Sequence, residues 1–293
     1  MKAAIEASYK ARDVEGWFDL HFYRPIGYQL ARFFAWLRFT PSMVSFFGAT
    51  VGVLAGHLYF YRDLRLNLCG IALHVLANAL DNADGQLARL TNRGSLQGAI
   101  VDGCADYLVF ASVYLHLSLR HVAAGGSSMI WIVAAAAALS HVVQSMMADY
   151  FRNGYLQFVV GKRSLDLNSS EHVRREYERA AWGTFWRKLG LWNYLNYTRR
   201  QEILAPALLR LRRVTAAGTG DGFREEYRER CQPLVKYGNS LAANPRIIFL
   251  FVVFLLGHPN WYFWWELTVL NLLLLYVLSR HDAAFQALAR RPN

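Results

Sequence analysis

The sequence predicts an all-α integral membrane protein with six transmembrane helices. Its 293 residues are 54% hydrophobic and only 18% charged, which is more apolar than a typical soluble domain. The apolar residues gather in long runs, and a helix needs about 20 of them to cross a bilayer. The charged residues gather in turns, near the N-terminus and in one long later segment. We therefore expect a single membrane domain over 1–293, with an N-terminal interfacial amphipathic helix and a cytosolic helical insertion between spans four and five.

The N-terminal region, residues 1–40, mixes charges with tryptophan, phenylalanine and tyrosine. This mixture is typical of an amphipathic helix that lies in the membrane interface. Thr40 and Pro41 follow as a strong helix start, because threonine caps a helix and proline suits its first turn. The first span is accordingly predicted at 43–61.

Three further spans are predicted at 66–80, 98–119 and 128–148, with short polar turns between them. The second span carries His74 and Asn78 one helical turn apart. Polar side chains within a span commonly hydrogen-bond to a neighbouring helix. We therefore expect this pair to hold helices together rather than to bind a ligand.

The segment 149–246 interrupts the series of spans. It is basic and aromatic, with 18 Lys/Arg against 9 Asp/Glu between 151 and 246. Its apolar residues recur partly at helical spacing, which predicts two or more amphipathic helices lying on the membrane surface. The fifth and sixth spans are predicted at 247–256 and 267–278, with an interfacial aromatic cluster at 261–265 between them.

The net charge of +11 is explained by membrane topology, so no nucleic-acid partner is expected. If the N-terminus is inside, all but three of the 32 Lys/Arg residues lie on that side. The three exceptions are Arg62, Arg65 and Arg120. The positive-inside rule therefore predicts that both termini and the polar turn after the second span face the cytosol.

Four carboxylates lie around that polar turn, at Asp81, Asp84, Asp102 and Asp106. The first two are three residues apart, and Gly98 continues the second pair as a stripe at intervals of four. In a helical hairpin all four acids can converge, and their charges would then repel one another by several kcal/mol. Divalent cations with oxygen ligands relieve that repulsion, which predicts a Mg²⁺ or Mn²⁺ site.

Small residues and one cation share the helix faces that carry these acids. Gly85, Ala88 and Gly98 lack bulk, so a ligand or the facing helix can approach the backbone closely. Arg89 is suited to a phosphate group, because its guanidinium is planar and always charged. Metals, carboxylates and a phosphate-reading arginine together predict phosphoryl-group chemistry at a membrane surface.

The motif Asp84-Gly85-x2-Ala88-Arg89-x8-Gly98-x3-Asp102-x3-Asp106, preceded by Asp81, resembles the signature of the CDP-alcohol phosphotransferase family. Every signature position is filled, and the long insertion resembles a longer bacterial subgroup. The resemblance implies a six-helix fold, a homodimer, a cytosol-facing cavity and, here, the bacterial inner membrane. It also implies transfer of a substituted phosphate from a CDP-linked donor to an alcohol hydroxyl, with release of CMP.

The resemblance also implies a role for each motif residue. Two divalent ions, Mg²⁺ or Mn²⁺, would be held by Asp81, Asp84, Asp102 and Asp106. The last of these would also be the catalytic general base. The CDP donor would be bound by Gly85, Ala88, Arg89 and Gly98.

The motif does not decide which CDP-linked donor and which acceptor the protein uses. We prefer CDP-diacylglycerol as donor and a polar acceptor such as inositol phosphate or glycerol phosphate. Arg152, Lys162 and Arg163 could bind a phosphate on that acceptor, or could be juxtamembrane charges attracted to anionic lipid. The alternative is a soluble donor of the CDP-choline or CDP-ethanolamine type that acts on a lipid hydroxyl. A cation transporter is a candidate of another class, but no inverted repeat supports it.

Overall fold

The computed structural model describes residues 11–161, 169–180, 185–215 and 222–290. Within these ranges all regular elements are helical and no strand occurs, which confirms the predicted all-α class. The chain forms two compact units. The first contains 16–143 and 242–271, and the second contains 13–15, 144–241 and the C-terminal residues from 272 onward.

Twelve α-helices organise the described residues, and we number them in chain order. They are α1 Arg24–Trp36, α2 Pro41–Leu58, α3 Leu64–Leu90, α4 Leu96–Ala123, α5 Ile130–Tyr155, α6 Ser170–Arg179, α7 Phe185–Leu204, α8 Pro206–Val214, α9 Phe223–Gly238, α10 Ala243–Leu255, α11 Trp261–Trp265 and α12 Asn271–Ala289.

Helix α1 packs against α3 in the first unit. The Gln86 side chain on α3 donates a hydrogen bond to the Arg24 carbonyl, at 3.2 Å. The helix ends before Arg38, whose φ of 61° takes the chain out of helical geometry. Phe33 and Trp36 remain exposed on its outer side. These exposed aromatics are consistent with the predicted interfacial helix, which stays a prediction.

Helix α2 begins as the sequence predicts. The Thr40 side chain accepts a hydrogen bond from the Met43 amide at 3.3 Å, and Pro41 is the first helical residue. A Cβ added at Gly48 would lie 3.2 Å from the Cβ of Leu80 on α3. Because only a small residue fits there, the backbones of α2 and α3 approach closely.

The pair His74 and Asn78 on α3 links helices, as predicted. The hydroxyl of Tyr59, which follows α2, lies 3.1 Å from His74 Nδ1. The Asn78 amide donates to the Asn244 side chain on α10 at 2.8 Å. Both contacts are side-chain hydrogen bonds between separate elements of the first unit.

A buried ion pair joins α10 to the last helical segment of the first unit. Arg246 Nε donates to Glu266 Oε1 at 2.8 Å, and both side chains are almost fully buried. Beside this pair, the Tyr114 hydroxyl on α4 lies 3.0 Å from His141 Nδ1 on α5. The same nitrogen lies 4.0 Å from Glu266 Oε1. The apolar first unit therefore contains a polar centre that ties four segments together.

Four helices of the described residues are long and apolar enough to cross a membrane, at Pro41–Leu58, Gln97–Ala123, Ile130–Val160 and Trp261–Ala289. A fifth candidate is Phe223–Leu241 with Ala243–Leu255, which bend by 42° at their junction. The protein is thus an integral membrane protein with four or five candidate spans. Helix α3 does not pass this test, because it carries several polar and charged residues along its length.

Two helices are longer than the predicted spans. The fourth span is predicted to end at 148, but α5 continues to Tyr155, and a π-helical segment, Leu156–Val160, extends it further. Tyr150, Phe151 and Tyr155 are buried on this extension, so side-chain packing sustains the helix. Near the C-terminus, a π-helical segment, Glu266–Leu270, joins α11 to α12, so the aromatic cluster at 261–265 begins a continuous helical stretch that ends at Ala289.

The second unit is a helical cluster that includes the insertion up to residue 241. Phe151 stacks on the His281 ring at 3.9 Å between ring centres, and Phe285 and Tyr227 continue the aromatic core. Helix α6 is tied to α7 by hydrogen bonds from Ser170 to the Glu202 carboxylate, at 2.5 and 3.0 Å. The described residues of the insertion thus include four helices, α6 to α9, and their predicted location on the membrane surface stays a prediction.

Candidate metal centre

The hairpin of α3 and α4 brings the motif carboxylates together. Asp81 and Asp84 lie in the last turns of α3, and Asp102 lies in the second turn of α4. One carboxylate oxygen from each of these three residues lies within 4.8 Å of the other two. This spacing could hold a metal ion, and the three ligands come from two different helices.

The turn between the two helices has clear local causes. Asn92 adopts a φ of 52°, a left-handed conformation that asparagine tolerates better than most residues. Ser95 then caps α4 by accepting a hydrogen bond from the Gly98 amide at 3.0 Å. The short turn joins α3 directly to α4 and places the acids of both helices on the same side of the turn.

Asp84 is the most buried of the three, with 5% of its surface exposed. The Ser45 hydroxyl on α2 donates a hydrogen bond to Asp84 Oδ2 at 2.5 Å. This short, charge-assisted bond fixes the orientation of the carboxylate. Ser45 was not identified from the sequence, because it lies outside the motif and on another helix.

Asp106 lies one turn beyond Asp102 on α4 and is exposed. The structure does not bring its carboxylate into the group formed by Asp81, Asp84 and Asp102. Its charge nevertheless acts on Asp84, as do the charges of the other two acids. Asp106 is therefore near the centre, on an exposed part of α4.

The small residues of the motif leave room beside the acids. A Cβ at Gly85 would lie 3.5 Å from Arg89 Nη1, so the guanidinium lies over this glycine. Ala88 is half-buried on the same helix, and Gly98 is half-buried in the first turn of α4. The arginine, the glycine and the acids of α3 thus form one continuous surface that carries both signs of charge.

Of the three residues proposed to bind the acceptor, Arg152 alone lies among the described residues. Arg152 is on α5 within the second unit, where its guanidinium forms an ion pair with Asp149, three residues earlier. Lys162 and Arg163 lie outside the described residues. Arg152 therefore has an acidic neighbour that would compete with a bound phosphate.

The chemistry of the three carboxylates suits a hard cation. The set offers oxygen ligands from Asp81, Asp84 and Asp102, and carboxylate oxygens favour Mg²⁺, Ca²⁺ or Mn²⁺ over softer metals. Without a cation, three negative charges in this small space would repel strongly. The residues present therefore fit a divalent metal centre.

Comparison with known proteins agrees with this chemistry. A family model described as CDP-alcohol phosphatidyltransferase matches residues 26–162. The matched segment runs from α1 to seven residues beyond the end of α5 and includes every motif position, which confirms the resemblance found in the sequence. No curated protein matches the chain.

Proposed function

Since residues 26–162 match the CDP-alcohol phosphatidyltransferase family, we propose that this protein transfers a phosphatidyl group from CDP-diacylglycerol to the hydroxyl of a polar alcohol. Inositol phosphate and glycerol phosphate are acceptors of this kind, and CMP is the second product. The observation that carries the proposal is the convergence of Asp81, Asp84 and Asp102 within the matched segment. The family implies a transferase, and the carboxylate centre provides the metal ligands that such a reaction uses.

Asp81, Asp84 and Asp102 would hold two divalent ions, Mg²⁺ or Mn²⁺, and Asp106 would share one of them. When bound, such ions neutralise the pyrophosphate and stabilise the charge of the departing CMP. Ser45 keeps the Asp84 carboxylate in one orientation, so that ligand is positioned before any substrate arrives. Preorganisation of this kind lowers the cost of metal binding.

Asp106 would accept the proton of the acceptor hydroxyl. It is exposed, while the neighbouring acids are half-buried or buried. In the reaction the acceptor oxygen bonds to the phosphorus that carries the lipid, and the phosphorus–oxygen bond to CMP breaks. The hydroxyl proton passes to Asp106. A free aspartate has a pKa near 4 and is a weak base, so its main contribution is to orient the hydroxyl and take the proton late.

Arg89 and the small residues would bind the donor. The guanidinium lies over Gly85, where backbone and side chain together present a surface for a phosphate. Ala88 and Gly98 would leave space for the cytidine diphosphate between the helices. A larger side chain at either position would occupy that space.

The proposed topology has six spans, with α3 as the second and both termini in the cytosol. Helix α3 has 27 residues, about 40 Å at 1.5 Å per residue, which is enough to cross a bilayer. Several of its polar side chains bond to other elements rather than face lipid, as His74 and Asn78 do. In this topology the carboxylates open to the cytosol of a bacterial cell, and a homodimer in the inner membrane is the expected assembly.

The decisive experiment offers labelled CDP-diacylglycerol and labelled CDP-choline or CDP-ethanolamine in parallel to detergent-purified protein. Each donor is tested with a panel of polar alcohols and with diacylglycerol, and the lipid formed is identified by mass spectrometry. We expect a phosphatidyl product from CDP-diacylglycerol, together with CMP, that is lost with EDTA and restored by Mg²⁺ or Mn²⁺. If product forms only from the soluble donors, the protein transfers a headgroup phosphate instead of a phosphatidyl group. If CMP is released without metal, the reaction does not use the proposed metal centre.

A further inference from the structure

A second group of potential metal ligands lies where α2 and α4 meet, far from the carboxylates. His57 is in the last turn of α2, and His116 is on α4. His57 Nδ1 and His116 Nε2 are 3.2 Å apart. The Tyr61 hydroxyl lies 3.3 Å from His57 Nε2, and the Ser112 carbonyl lies 2.8 Å from His116 Nδ1.

These partners fix the protons on both rings. The Ser112 carbonyl can only accept, so His116 Nδ1 carries the hydrogen and His116 Nε2 presents a lone pair. His57 Nδ1 must therefore donate to that lone pair, which leaves His57 Nε2 to accept from Tyr61. His116 thus already presents one nitrogen lone pair towards the neighbouring imidazole.

Close packing of the two helices holds the rings at this spacing. A Cβ placed on Gly56, next to His57, would overlap Ser112 on α4. The Ser112 hydroxyl also donates to the Val53 carbonyl of α2 at 2.9 Å. Because α2 and α4 touch here at the backbone, the two histidines are positioned by the helices rather than by a flexible loop.

We propose that His57 and His116 bind an imidazole-preferring divalent ion, namely Zn²⁺, Cu²⁺ or Ni²⁺, at a site separate from the carboxylate centre. Two nitrogens bound to tetrahedral zinc at about 2.0–2.1 Å are about 3.3 Å apart, close to the present spacing. The His57 ring is exposed, so it can turn its Nδ1 towards an ion without moving the helix. The proton of Nδ1 is replaced by one taken up from water at Nε2, so the ring stays neutral.

Ligand chemistry and distance separate this site from the carboxylates. Imidazole suits zinc, copper and nickel, whereas carboxylate oxygens suit magnesium and manganese. On α4, 14 residues separate Asp102 from His116, which is about 21 Å at 1.5 Å per residue. In the topology proposed above, the histidine pair opens to the outside of the cell, and water completes the coordination of the ion.

Electron paramagnetic resonance of bound Cu²⁺ tests the proposal, because it counts nitrogen ligands. The full chain is purified in detergent with a histidine-free tag, and excess Mg²⁺ occupies oxygen sites. We expect one strongly bound Cu²⁺ per chain with coupling to two imidazole nitrogens. His57→Ala and His116→Ala should each weaken Cu²⁺ binding at least about tenfold, since even outer partners of metal ligands change affinity ten- to hundredfold.

His258→Ala is the matched control, since this exposed histidine stacks on Trp261 and lies outside the pair. It should keep the two-nitrogen signal and the affinity of the unaltered protein. If an alanine variant does not elute as folded protein, His57→Gln and His116→Gln take its place. An unchanged copper signal in folded variants of both histidines, or a signal with oxygen ligands alone, would overturn the proposal.

Discussion

The bond between Ser45 and Asp84 lets a residue outside the motif act on the candidate metal centre. The Ser45 hydroxyl lies 2.5 Å from Asp84 Oδ2, and Asp84 is the most buried of the clustered carboxylates. Hydrogen bonds to charged groups contribute about 1.5–3 kcal/mol, so its loss should be measurable in metal affinity. A hydroxyl on α2 thus contacts the candidate centre although it lies outside the motif.

Ser45→Ala should raise the Mg²⁺ concentration for half-maximal activity about tenfold or more, because the Asp84 carboxylate loses the donor that orients it. The maximal rate at saturating Mg²⁺ should change much less. Titration of transferase activity with Mg²⁺ measures both quantities. Thr50→Ala is the control, since that exposed hydroxyl bonds only within α2, to the Phe46 carbonyl. If the Ser45 variant and the unaltered protein need the same Mg²⁺ concentration for half-maximal activity, Ser45 does not position the Asp84 carboxylate.

Asp84→Asn and Asp106→Asn should fail in different ways. Asp84→Asn removes a ligand charge, so metal and donor binding should weaken together with turnover. Asp106→Asn should retain donor binding while its maximal rate falls about a hundredfold or more, the usual scale for a positioned base. Donor binding and steady-state rates measured on protein of equal elution profile separate the two effects. Near-normal turnover in Asp106→Asn would assign the proton to another group.

At the scale of single residues, the sequence predicted the contacts that follow from spacing along a helix or across a short turn. The intervals between Asp81, Asp84 and Asp102 place them on helix faces that meet across a short turn, and the structure brings those three together. Ser45 is 39 residues from Asp84, and no periodicity relates positions on separate helices. Only the packing of α2 against α3 could reveal that contact.

Among the elements, α10 is joined by a buried ion pair to the helical stretch that follows it. Arg246 Nε and Glu266 Oε1 are 2.8 Å apart, and a second guanidinium nitrogen lies 3.3 Å from Oε2. The sequence assigned Arg246 to the basic insertion, where a charge would be solvated. Its burial was not predictable, because the partner lies 20 residues later, beyond a turn.

Arg246→Met should destabilise the fold by about 3–5 kcal/mol, because it leaves the Glu266 charge buried without its partner. The double variant Arg246→Met with Glu266→Leu should recover much of that loss, since no buried charge remains. Chemical denaturation in detergent, followed by tryptophan fluorescence, measures the free energy of unfolding. Arg280→Met is the control, because that arginine is exposed. A double variant no more stable than the single one would show that the pair itself, rather than the orphaned charge, provides the stability.

For the whole molecule, charge distribution gives a definite expectation of topology. With the N-terminus inside, only Arg62, Arg65 and Arg120 among 32 Lys/Arg lie outside. The hydropathy of the chain predicted most of the candidate spans, but it could not fix their number. Helix α3 contains the predicted second span at 66–80 but is too polar to count among the candidate spans of the structure, and α10, with 13 residues, is too short to cross a bilayer alone.

Single cysteines introduced after removal of Cys69, Cys104 and Cys231 test this topology. Gly94→Cys, in the open turn between α3 and α4, should react with a membrane-impermeant maleimide only after the inner face is exposed. Ser128→Cys, exposed before α5, should react in intact cells. Protein labelling in whole cells and inverted vesicles gives the comparison. The opposite labelling pattern would show that the protein has the inverted orientation, with its carboxylates on the side of the membrane away from cytosolic acceptors.

The buried pair of Arg246 and Glu266 also constrains how the protein is made. An arginine at the centre of a bilayer costs about 2.5–3.5 kcal/mol to insert, and α10 alone is too short to offset that cost. The turn at 256–260 is only five residues long, so α10 and the next helix can leave the translocon together. Because each charge neutralises the other within such a hairpin, synthesis must reach Glu266 before Arg246 can enter the membrane stably. The segment 243–289 is thus expected to insert as a pair of helices rather than one helix at a time.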